Sequence, residues 1–237
     1  AGSTGYRGET SIIEIIKNNL KSSNIKINTF NFSSVSSNHT QHIHRLIKFY
    51  DKFNYDFIIF YGGFNETIQY LNYDPRIGYP FNFYFAADLN PVMQVLLKYS
   101  SILGEIDKIT GLLSGYNDLK KLKTDIKWED NVIKKYWRDL YTAEKITSKL
   151  IKNNVCKKPL FLSITQPMNP LTDDEKKMWK ILKQSIKTNK KKSHYDFTVL
   201  RDSMKFELDQ VHIDQKSKEL IAGKITLIVK KMIRDNC

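Results

Sequence analysis

Apolar side chains recur along this chain in two patterns, a helical spacing of three to four residues and short runs of the kind strands use. Ile12, Ile13, Ile16 and Leu20 follow Glu9 and Thr10 at the first spacing, which predicts an amphipathic helix near residues 9–21. Ile25, Ile27, Thr29, Phe30 and Phe32 alternate well enough to predict a short strand, which breaks into a polar loop from Ser33 to Asn38. Ile43, Leu46, Ile47 and Tyr50 mark a second helix. The run from Asp56 to Tyr61 does not alternate and stops at Gly62 and Gly63, as expected of a parallel strand covered on both faces.

From about Glu66 to Gly115 the pattern loosens into a stretch rich in Tyr, Phe, Pro and Gly, with a helix expected near 91–103. This reads as an insertion, in all about residues 66–156, largely helical and aromatic. A long helical pattern covers about 128–153, through Trp128, Val132, Tyr136, Leu140 and Ile151. Pro159 to Thr165 is a second buried strand. Thr172 with Glu175 three residues on has the spacing of a capping box that opens a helix. The lysine run from Lys187 to Lys192 ends that helix in a solvated loop, and Leu220, Ile221, Ile225, Ile228 and Met232 predict a C-terminal helix. Alternating helices and strands argue for a layered α/β domain with a parallel sheet.

Composition narrows this picture modestly. A chain of 237 residues with 41% hydrophobic content fits one globular domain, and no apolar run is long enough to span a bilayer. Lys and Arg exceed Asp and Glu by 38 to 25, a formal charge of +13, which favours acidic partners without naming one. No aromatic residues interleave the lysine run to stack bases, so no nucleic acid partner is expected. Cys156 and Cys237 lack a metal-ligand pattern and fit one disulfide or two thiols equally. The compartment stays open.

Reactive groups in α/β sheets usually sit on loops beyond the carboxyl ends of the strands. Four such pieces stand out: Ala1-Gly2-Ser3-Thr4-Gly5 before the first helix, the loop Ser33 to Asn38, the turn Gly63-Phe64-Asn65-Glu66 after the best strand, and Asp209-Gln210-Val211-His212 before the last helix. In this order they resemble the blocks of the SGNH hydrolases, the GDSL-type esterase and lipase superfamily, across nearly the whole chain. The resemblance implies a single domain over residues 1–237, a three-layer α/β/α fold with a central parallel sheet of flavodoxin-like type. The strand that leads into the nucleophile turn in this family is unaccounted for in these residues.

The resemblance also implies a Ser-His-Asp mechanism. Ser3 is the expected nucleophile, His212 the base that takes its proton, and Asp209 the carboxylate that orients the imidazole. The backbone N–H groups of Ser3 and Ser37, with the side-chain amide of Asn65, would bind the oxyanion. Ser37 stands where the family usually has Gly. The expected activity is hydrolysis of an O-acyl ester, O-acetyl foremost, on a carbohydrate or surface polysaccharide, with no cofactor. Transfer of the acyl group to a glycan by the same residues is the alternative; a basic glycan- or nucleic-acid-binding module without catalysis is another. His39, His42 and His44 lie close in sequence, but His42 and His44 would splay to different helix faces and no neighbouring Cys or carboxylate completes a set, so no metal is expected. His39 is placed instead at the rim of the site. The triplets starting at Asn31, Asn38 and Asn65 match the glycosylation acceptor pattern; the last two overlap the expected site, which argues against their use.

Overall fold

The structure, a computed structural model, describes residues 10–33, 37–52, 55–68, 128–150, 156, 160–189, 191–207 and 210–237. Ser3, Asp209, the helix expected near 91–103 and most of the aromatic stretch lie outside these residues. In chain order the described elements are α1 (Ile12–Lys21), α2 (His39–Phe49), β1 (Phe57–Gly62), a π-helical turn (Phe64–Ile68), α3 (Trp128–Leu150), β2 (Leu160–Thr165), α4 (Asp173–Thr188), β3 (His194–Asp196), a 3₁₀ turn (Thr198–Ser203) and α5 (Gln215–Asn236).

Among the described residues the sheet is three-stranded and parallel in the order β1-β2-β3. Phe57 stands opposite Leu160 and Gly62 opposite Thr165, so both strands end level. Ser163 to Thr165 pair with His194 to Asp196. β2 is buried at all six positions, which explains why its side chains do not alternate between apolar and exposed polar.

Two apolar clusters flank this sheet, and successive residues of each strand feed opposite ones, as the two-residue period of a strand requires. Ile58, Phe60 and Phe161 join Ile43, Val132, Tyr136, Leu140, Met178 and Leu182 from α2, α3 and α4. Phe57, Ile59, Leu162 and Ile164 join Ile12, Ile16, Leu20, Ile221, Ile225 and Val229 from α1 and α5. Residues 128–150, which the chain pattern assigns to the insertion, are therefore integral to the core: Leu140 and Ala143 of α3 are fully buried.

The caps follow local chemistry. Ser11 with Glu14, Asn38 with Gln41, and Thr172 with Glu175 each form a reciprocal capping box at the start of α1, α2 and α4, satisfying N–H groups that the helix leaves unpaired. α2 therefore begins at His39, four residues ahead of the apolar stripe that announced it.

Three expectations are corrected. Residues 25–32 form no strand: Ile25 and Ile27 pack against the second cluster and Phe32 stacks on Phe49 at 5.2 Å, but no backbone ladder engages them among the described residues. Alternate side chains here are half-buried without backbone pairing, so burial alone produces the alternation. Lys191 is not in a solvated loop; its Nζ lies 2.6 Å from Glu144 Oε2 and over the Tyr141 ring. Leu220, expected in the apolar stripe of α5, is exposed. The two cysteines are joined as a disulfide, fastening the C-terminus to Cys156.

Candidate functional site

The carboxyl ends of β1 and β2 gather three loops. Gln166 N–H donates to Gly62 O at 2.7 Å, which locks the turn after β2 beside the turn after β1. Gly63 has φ of 129°, a conformation that a side chain would strain, and a Cβ there would meet Thr165 Cγ2 at 3.0 Å and Met168 Cε at 3.3 Å. Glu66 folds back so that its Oε2 accepts the Gly63 N–H at 2.6 Å, while the Thr67 hydroxyl donates to Gly63 O. This closed turn holds Asn65 half-buried at its edge.

Asn65 and Ser37, which come from different loops, meet directly. Asn65 Nδ2 donates to Ser37 O at 2.8 Å. A carboxamide nitrogen carries two N–H bonds, so this contact orients the amide and leaves a second donor. Ser37 is buried, and its hydroxyl lies 3.2 Å from His42 Nε2 and 3.4 Å from Arg45 Nη1. Arg45 also donates to Phe32 O at 2.7 Å, pinning the preceding loop to α2.

His212 lies on the third loop. Asn169 N–H donates to Gln210 O at 2.8 Å, tying this loop to the turn after β2, and Val211 packs against the first cluster. His212 O accepts the Glu207 N–H at 2.9 Å, and the bridge between Phe206 and Ile213 closes a short antiparallel loop around it. The imidazole is half-buried. Of the five site residues expected from the chain, Ser37 and Asn65 are in contact, His212 stands on an adjoining loop, and Ser3 and Asp209 fall outside the described residues.

Beneath Asn65 and Ser37 lies a cluster that joins two of the three histidines, His39 and His42, to a carboxylate not expected beside them. His39 is fully buried rather than on a rim, walled by the rings of Phe60 and Tyr136 at 5.5 Å each and by His42 at 6.0 Å. Its Nε2 is 3.6 Å from Glu66 Oε1, beyond hydrogen-bond reach, and among the described residues neither ring nitrogen has a hydrogen-bond partner. One ligand atom from each of His39, His42 and Glu66 falls within 4.8 Å of the others. His44, by contrast, is exposed. The carboxylate that seemed missing near the histidines comes from the end of β1, a proximity created by the fold and invisible as sequence spacing.

Burial governs the electrostatics. Desolvation holds His39 down to about 3, against the pull of Asp139, and His42 down to about 4. Burial pushes Glu66 above the usual carboxylate range, although its backbone N–H partner works the other way. A further, half-buried imidazole, His194 on β3, bridges Ser163 Oγ and Thr165 Oγ1 at 2.9 Å each, and Thr165 Oγ1 contacts the Tyr136 hydroxyl at 2.7 Å. Desolvation lowers His194 to about 4. Three residues of mixed polarity gave no periodic signal for β3.

Comparison of this chain with protein-family models, curated proteins and solved structures finds no match.

Proposed function

We propose that this chain is a serine esterase of the SGNH type, a single three-layer α/β/α domain that hydrolyses an O-acyl ester, O-acetyl foremost, on a carbohydrate. The observation that carries the reading is the hydrogen bond from Asn65 Nδ2 to Ser37 O at 2.8 Å, at the carboxyl end of a parallel strand. An oxyanion hole needs donors fixed before charge develops, because reorganising them during reaction would consume the stabilisation they provide. An Asn amide oriented by a neighbouring carbonyl, with one N–H to spare, meets that requirement. The loop carrying His212 is tied to the turn after β2, which in turn is bonded to Gly62, and these links support the reading that the expected base belongs to the same end of the sheet.

In this reading Ser3 attacks the ester carbonyl, His212 accepts the Ser3 proton and then delivers it to the leaving alcohol, and Asp209 orients the imidazole. The N–H groups of Ser3 and Ser37 and the Asn65 amide bind the oxyanion. Water then releases the acyl group, with the same imidazole as base. The test is hydrolysis of p-nitrophenyl acetate and of an O-acetylated polysaccharide. Asn65→Ala should lower kcat by about 10²–10³ with little change in KM. Wild-type turnover in Asn65→Ala, or no hydrolysis of either ester by the wild type, would contradict the assignment.

A further inference from the structure

We propose that His39, His42 and Glu66 form a buried binding site for a divalent transition-metal ion of the zinc type, which clamps the start of α2 to the end of β1. The donor set is two imidazoles and a carboxylate, the ligand chemistry of zinc sites with three protein ligands. The geometry suits it. Ligand atoms about 2 Å from an ion at tetrahedral angles lie roughly 3.3 Å apart, and His39 Nε2 and Glu66 Oε1 are already 3.6 Å apart. The third ligand atom, on His42, lies within 4.8 Å of the other two.

A second observation points independently to a ligand. His39 is wholly inaccessible to solvent, yet both of its ring nitrogens lack a hydrogen-bond partner among the described residues. Buried polar atoms are nearly always satisfied, because an unmet donor or acceptor costs on the order of its full desolvation. A metal bond at Nε2 removes that deficit at the atom facing Glu66. Gly62 supplies the space: a Cβ there would stand 2.7 Å from His39 Nε2 and 3.0 and 3.1 Å from the two carboxylate oxygens of Glu66. The nearest alternative reading is a satisfied core histidine, and the unpartnered nitrogens are what it fails to explain.

The placement gives the ion a positioning role. His39 follows Asn38 and Ser37, and Glu66 follows Asn65, so an ion joining them would fix the two segments whose contact orients the Asn65 amide. This inference stands whether or not the chain hydrolyses esters, because its readout is metal binding alone. Tag-free protein stripped with EDTA and titrated with Zn²⁺ should bind one equivalent and show a thermal midpoint that rises with Zn²⁺ concentration. Co²⁺ should give the visible absorption of a four-coordinate site at the same stoichiometry.

Glu66→Gln and His42→Gln should each weaken Zn²⁺ binding at least tenfold, while His44→Gln, on the exposed face of α2, should bind as wild type. Far-UV circular dichroism verifies folding; should Glu66→Gln fail to fold, the half-buried His42→Gln and the wild-type Co²⁺ spectrum decide. Absence of a stoichiometric site in the wild type, or undiminished binding in the folded variants, overturns the proposal.

Discussion

Gly62 and Gly63 lack side chains for different reasons. Gly63 turns the chain through positive φ, whereas Gly62 clears room for an imidazole and a carboxylate. Gly62→Ala should therefore destabilise the fold by about 1–3 kcal/mol through overpacking, read as a lower urea midpoint at unchanged m-value; an unchanged midpoint would contradict the crowding. His194 carries a separate pH dependence. Its folded value, about 4, lies below the ordinary 6.5, so between these values the unfolded chain binds more protons than the folded one. Its stabilisation is thus present above about pH 6.5 and is lost as pH falls towards about 4. His194→Gln keeps hydrogen bonding to Ser163 and Thr165 but cannot titrate, so its unfolding free energy from urea titration should fall less than that of the wild type between pH 7 and 4.5, by about 2 kcal/mol. Equal slopes in metal-free buffer would contradict this account.

At the scale of elements, caps and periodicities were the legible part. Thr172 and Glu175 announced the start of α4, and the structure confirms both halves of the box: Glu175 N donates to Thr172 Oγ1 at 3.2 Å, and Glu175 Oε2 accepts from Leu171 and Thr172 N–H groups. Thr172→Ala should cost about 1 kcal/mol, measurable as a lower thermal midpoint. The continuous runs of β1 and β2 likewise announced a parallel, doubly covered sheet. What stayed illegible depends on partners distant in sequence. Residues 25–32 carry a strand-like pattern, but a pattern specifies burial, not a ladder. β3 is three residues long and mixes His, Tyr and Asp, so pairing with β2 makes it a strand, not its own alternation. Glu66 meets His39 only because the π-helical turn folds it back, so the cluster beneath Asn65 leaves no trace in local spacing. The contact between Asn65 and Ser37, in contrast, joins two loops that the order of motifs had already paired.

For the molecule as a whole, the Cys156–Cys237 disulfide closes a loop with a sequence separation of 81 residues and fastens the end of α5. In a chain-entropy picture a loop of that size is worth roughly 4 kcal/mol, so Cys237→Ser should lower the thermal midpoint clearly, and an unchanged midpoint would show that α5 is held by packing alone. No described helix is long and apolar enough to cross a membrane, and the chain carries a formal net charge of +13. In the proposed mechanism a serine hydroxyl, activated by His212 and faced by Asn65, forms an acyl intermediate. Labelling of the intact protein with a fluorophosphonate, with the adduct located by peptide mass spectrometry, tests it most directly. The account predicts one adduct, on Ser3, abolished in His212→Ala; an adduct on another residue, or labelling that persists without His212, would contradict it.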